Sequence, residues 1–217
     1  MKYIFIFFLL VKIVLAYTNI APLYFDEKID GDGGYKEYIL TNNTQRTLKY
    51  RIYAEKKEND LDMTSWTEIY PKVISLKPGQ REKVKVFIQA PKSTNNGEYI
   101  TNFCIKEIEY PNSETRQKLQ VFTNLKIELA GFVGEDLGKV KMSKVGLDEI
   151  SIENIGYKRE KLSIYFVKEN NEVILVDSIR VFKGETKTIK NKIFKDEVGK
   201  IRILDKNENI LLETIIN

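Results

Sequence analysis

A chain of 217 residues with 35 basic and 31 acidic side chains, no histidine and one cysteine excludes several chemistries at once. Without histidine there is no Ser-His-Asp or Cys-His arrangement and no imidazole metal ligand. The formal charge of +4 is spread along the sequence with both signs interspersed, which speaks against the basic stripe of a nucleic-acid binder.

Residues 1–16 read as a secretory signal peptide. Lys2 supplies the positive end, Tyr3 to Leu15 form an apolar run broken only by Lys12, and Val14-Leu15-Ala16 offers a cleavage site. A membrane-spanning helix needs about 20 apolar residues, whereas this run stops before Thr18 and Asn19. No cysteine follows for a lipid anchor, and no later stretch is apolar enough to span. Removal of Lys2 and Lys12 leaves 33 basic residues against 31 acidic, a nearly neutral mature chain.

Downstream, period-two alternation broken by Gly, Pro, Asn and Asp clusters predicts strands rather than helices. Ile20 to Phe25 reads as a first strand, and Tyr35 to Thr41 follows the tight turn at Asp30-Gly31-Asp32-Gly33-Gly34. That turn lacks the acids of a calcium loop. Asn42-Asn43-Thr44 is a glycosylation sequon placed where a turn is needed. Leu48, Tyr50, Ile52 and Ala54 alternate along the next strand, and residues 55–66 are polar and irregular. Ile69 to Leu76 reads as one strand, closed by Lys77-Pro78-Gly79-Gln80. Val84, Val86 and Ile88 alternate, and Tyr99 to Ile108 follows a polar loop. In that strand Cys104, flanked by Phe103 and Ile105, reads as a core thiol, and Glu107 with Glu109 as a solvated face. About seven strands by residue 130 match an immunoglobulin-like sandwich.

All five prolines precede residue 130, and Gly131 to Asp136 is a candidate hinge. The division is therefore 17–130 for a first immunoglobulin-like domain and 131–217 for a second, smaller β-sandwich. Val140 with Met142, Ile150 with Ile152, and Leu162 to Val167 carry its alternation. Lys183-Gly184-Glu185 and Asp205 to Asn209 read as hairpin loops. No sequence repeat links the halves. The fold class is all-β, with two sandwiches.

No catalytic constellation, phosphate-binding loop, metal set or cofactor motif is present, so the expectation is a non-enzyme without cofactor. The segment that stands out is Gln117 to Leu129. Leu119, Val121, Leu125, Ile127 and Leu129 occupy its odd positions with Thr123 as the polar member, while the even positions are polar apart from Phe122. Thirteen residues exceed the usual strand. Such a strand is either the long last strand of the first sandwich or an edge offered to another chain.

From about residue 20 to 130 the chain resembles the PapD-like periplasmic chaperones of pilus assembly. The resemblance is carried by Tyr70-Pro71-Lys72-Val73-Ile74-Ser75-Leu76-Lys77-Pro78-Gly79-Gln80, Val84-Lys85-Val86, Gly97-Glu98-Tyr99, Phe103 to Ile108 and the strand ending Leu125-Lys126-Ile127-Glu128-Leu129. It implies a periplasmic chaperone that stabilises pilin-like or other secreted subunits by lending them a strand, with an outer-membrane usher as a further partner. The donor row it implies is Leu119, Val121 and Thr123, extending to Leu125. The family's basic carboxylate anchor maps onto Pro22 and Glu128, leaving Lys126 as the nearby basic candidate. The competing readings are a secreted or surface immunoglobulin-like adhesin module, which should cover the edge that a chaperone keeps available, and a secreted hydrolase, which needs a carboxylate cleft.

Overall fold

The computed structural model describes residues 18–58, 60–108, 122–135 and 138–216. The signal-peptide reading, Leu119 and Val121 lie outside the described residues. Two compact units divide the chain. The first runs to Asn95 and resumes over Tyr99–Gly134, and the second comprises Asn96–Glu98 and Glu135–Asn217.

The first unit is a sandwich of two sheets. One holds β1 (Thr18–Ala21), β3 (Gly34–Asn42), β7 (Arg81–Ile88) and β5 (Thr67–Tyr70) in the order β1-β3-β7-β5. The other holds β2 (Asp26–Lys28), β9 (Asn124–Val133), β8 (Gly97–Ile108), β4 (Leu48–Glu55) and β6 (Val73–Leu76) in the order β2-β9-β8-β4-β6. Alternation turns Tyr38 and Leu40 of β3, Leu48, Tyr50 and Ile52 of β4, Val84, Val86 and Ile88 of β7 and Phe103 and Ile105 of β8 into one core. The rings of Tyr38 and Phe103 meet at 4.8 Å between centroids. Each such large apolar side chain contributes roughly 1.5–3 kcal/mol on burial.

Two prolines redirect strands that the sequence pattern reads as continuous. Ile20 to Phe25 is not one strand: β1 pairs antiparallel with β3, Pro22 interrupts, and β2 pairs parallel with β9 in the opposite sheet. Likewise Ile69 to Leu76 is split at Pro71, so that β5 pairs with β7 and β6 pairs with β4. A proline has no N–H for the ladder and forces a break inside a strand, and here each break passes the chain from one sheet to the other. The candidate hinge is also partly displaced. Gly131, Phe132 and Val133 are buried residues of β9. Gly131 is required there, because a Cβ would come within 2.7 Å of the Ile29 side chain.

The second unit pairs a three-stranded sheet, β10 (Val140–Lys144), β11 (Glu149–Asn154) and β14 (Thr186–Lys190), with a four-stranded one. The latter runs β13 (Val173–Val181), β12 (Glu160–Lys168), β15 (Gly199–Leu204) and β16 (Ile210–Ile216). Ile150, Ile152, Leu162, Ile164, Phe166, Ile201 and Ile203 are fully buried between them. One short helix, α1 (Ile193–Asp196), buries Phe194. Asp205 to Asn209 does close the β15–β16 hairpin. Lys183 to Glu185 does not close a hairpin, since β13 and β14 belong to different sheets.

The halves repeat a device that sequence comparison misses. Asn42, fully buried at the end of β3, donates from Nδ2 to the carbonyls of Arg46 (2.8 Å) and Leu76 (2.9 Å), and its Oδ1 accepts the Thr44 N–H. Asn154, at the end of β11, donates to Lys158 (2.8 Å) and Val181 (3.1 Å) and accepts the Gly156 N–H. The main chains match too. Asn42 exchanges bonds with Gly79 and Gln80, Asn154 with Gly184 and Glu185, and both glycines have φ near +70° (+74° and +71°), a conformation that glycine adopts without strain. Asn42 is thus a structural peg with no exposed amide for a glycan.

Candidate functional site: the open edge of the last strand

The candidate site is the side of β9 that faces away from β8. Two hydrogen bonds fix which backbone groups point there. The Glu107 N–H donates to the Thr123 carbonyl (2.8 Å), so Thr123 faces β8, while the Ala130 N–H donates to the Phe25 carbonyl (2.8 Å), on the β2 side. Backbone groups of successive strand residues point to opposite sides. The odd residues 125, 127 and 129 therefore bond toward β8, and the even residues 124, 126, 128, 130 and 132 face outward. β2 occupies only part of that outward side, pairing Asp26, Glu27 and Lys28 with Ala130, Gly131 and Phe132. Among the described residues no strand pairs with the outer edge of Asn124–Leu129. At about 3.3 Å per residue that is roughly 20 Å of open edge.

The side chains divide by parity. Ile127 and Leu129 are buried in the core, Leu125 is partly buried against it, and Thr123 is half-buried. The apolar row therefore emerges from the core toward the N-terminal end of β9. Leu125 is already packed in its own domain. On the other face Lys126 Nζ meets Glu55 Oε1 at 2.6 Å. That hydrogen bond holds Glu55 below its ordinary carboxylate range and Lys126 above its ordinary value. Glu128 is paired with Lys57 at 2.6 Å, and Lys57 with Asp60 at 3.1 Å. Cys104 is buried, and desolvation first, with Glu55 second, pushes its thiol up to about 11.

The strand's root holds residues that sequence reasoning misread. Glu107 does not lie on a solvated face. Its side chain is 1% exposed and points inward in line with Phe103 and Ile105. Oε1 meets Arg46 Nη1 at 2.6 Å, and Oε2 accepts the Thr123 N–H at 2.9 Å. Tyr50 stands beside it, its hydroxyl bonded to Thr18, and burial foremost raises its pKa. The inward parity of Glu107 with Phe103 and Ile105 was legible in the alternation; the partner that makes its burial tolerable was not.

These features define an all-β protein of two sandwiches whose first unit leaves the edge of its last strand open. No protein-family model matches the chain, and no curated protein matches it. Solved structures do. The Class 5 fimbriae chaperone CfaA aligns with a TM-score of 0.53 at 16% identity, over 93% of this chain and 99% of that one. A chaperone–tip adhesin complex of CFA/I fimbriae biogenesis gives 0.51 at 14%, over 92% and 98%. The Salmonella enterica SafA pilin in complex with the SafB chaperone gives 0.50 at 12%, over 93% and 96%. The chain has the two-sandwich fold of fimbrial chaperones, the family that its sequence resembles. Among the described residues no helix is long and apolar enough to cross a membrane.

Proposed function

We propose that this protein is a periplasmic chaperone that holds secreted, pilin-like subunits by lending them its last strand. The observation that carries the proposal is the open outer edge of Asn124–Leu129, where Asn124, Lys126 and Glu128 direct backbone groups outward beside an emerging apolar row. A subunit lacking one strand completes its sheet against such an edge. It gains main-chain hydrogen bonds, and it gains roughly 1.5–3 kcal/mol for each large apolar side chain that fills its groove. The row runs Leu119, Val121 and Thr123. Leu125, already packed at home, marks its inner limit. Lys126 is engaged by Glu55 on the opposite face, and the strand-lending mechanism does not depend on it.

Two kinds of support converge. An adhesin module has reason to cover this edge, since an open edge invites aggregation. Structures of the same fold include a chaperone–tip adhesin complex and a pilin–chaperone complex, and one further neighbour is a periplasmic chaperone. The test is co-expression with candidate subunits encoded alongside it, followed by purification of a one-to-one complex. Val121→Asp is expected to abolish that complex while the protein stays folded. A complex that survives Val121→Asp, or a wild type that captures no subunit, sinks the reading.

A further inference from the structure

We infer that Glu107 is a positioning residue whose carboxylate, rather than its main-chain carbonyl, holds the Thr123 N–H and so anchors the start of the last strand. The inference rests on the strand-lending function proposed above, because it concerns the root of the strand that is lent. In a regular hydrogen-bonded antiparallel pair the two residues exchange both N–H···O=C bonds. Glu107 and Thr123 make only one of them, from the Glu107 N–H to the Thr123 carbonyl at 2.8 Å. The Thr123 N–H goes to Glu107 Oε2 at 2.9 Å, and β9 begins at Asn124.

A carboxylate outcompetes a neutral carbonyl for that N–H, since hydrogen bonds to an ionised acceptor are roughly twice as strong. The charge is tolerated because both oxygens are occupied. Oε1 is held by Arg46 at 2.6 Å, and the Arg46 carbonyl is in turn fastened by the Asn42 amide at 2.8 Å. The peg at the end of β3 thereby aims the guanidinium that neutralises Glu107. From the facing sheet Thr18 of β1 bonds the Tyr50 hydroxyl, which also reaches Thr123. Three strands and one loop thus converge on Thr123, the residue that precedes the open edge. An apolar residue at position 107, continuing the inward row of Phe103 and Ile105, would remove the acceptor that holds the Thr123 N–H.

Amide hydrogen exchange on the full chain, read residue by residue by NMR, tests this. In the wild type the Thr123 amide is expected to be protected. Glu107→Ala is expected to speed its exchange at least about tenfold, with Leu125 and Ile127 unchanged. Glu107→Gln keeps an acceptor oxygen and should stay within about threefold of wild type. Should Glu107→Ala fail to fold, Glu107→Leu fills the inward position without an acceptor and carries the same expectation. An unprotected Thr123 amide in the wild type overturns the inference. So does faster exchange spread evenly over β8 and β9, which is what a merely structural role produces. The exchange is read on the free protein, so the Thr123 result stands whether or not a subunit is captured. A failure of strand lending is thereby distinguishable from a failure of this inference.

Discussion

Proline placed at adjacent positions of β9 distinguishes the backbone directions on which the open edge depends. At Leu125 the N–H points toward β8, and at Lys126 it points outward, as follows from the bonds of Thr123 and Ala130. Comparing each proline variant with alanine at the same position cancels the side-chain losses, namely the half-buried leucine and the exposed Lys126–Glu55 pair. What remains at 125 is one buried acceptor on β8 left without a donor, about 1–3 kcal/mol. At 126 no bond within the protein is lost, and an edge strand accepts a proline whose N–H would face solvent, so the difference should stay within about 1 kcal/mol. For a unit of this size 1 kcal/mol moves Tm by roughly 4 °C. The assay is urea or thermal unfolding followed by Trp66, the protein's only tryptophan, which packs against Tyr99 in the first unit at 5.0 Å between centroids. Equal penalties at the two positions, or a larger one for Lys126→Pro than for Leu125→Pro, would refute the assigned directions and with them the edge.

Other consequences can be checked with the same protein. Asn42→Ala leaves the carbonyls of Arg46 and Leu76 without their donor and should cost about 2–4 kcal/mol in the Trp66 transition. Glu55 is held below its ordinary value of 4.5, first by its hydrogen bond from Lys126. A depressed carboxylate contributes stability that is present above its unfolded value and lost as pH falls through the folded one. The stability gap between wild type and Glu55→Gln should therefore be flat down to about pH 5 and close below that. The Cys104 thiol, buried and pushed up to about 11, should react with a thiol reagent at pH 8 far more slowly in the folded protein than in denaturant.

Much of this architecture was legible in the alternation of side chains. The inward rows of β3, β4, β7 and β8, the Pro78-Gly79 turn and the apolar row of the last strand all follow from period two. Proline was under-read. Pro22 and Pro71 each sit inside an apolar run, and the missing N–H that forbids a continuous strand also marks the passage between sheets. Asn42 and Asn154 act alike because of the carbonyls around them, and those come from residues four and about thirty positions away, so no local pattern reveals the repeat. Glu107 was misjudged for a related reason. Nearby lysines suggested a wet face, whereas its counter-charge, Arg46, lies 61 positions earlier and meets it only once β8 is folded.

The most direct measurement is amide exchange along β9 before and after a captured subunit is bound. If the edge is what the protein lends, the outward amides of Asn124, Lys126 and Glu128 become protected in the complex, while those of Leu125 and Ile127, already bonded to β8, hardly change. If a subunit binds and the three outward amides exchange as they do in the free protein, the client is held elsewhere and the strand-lending mechanism is wrong.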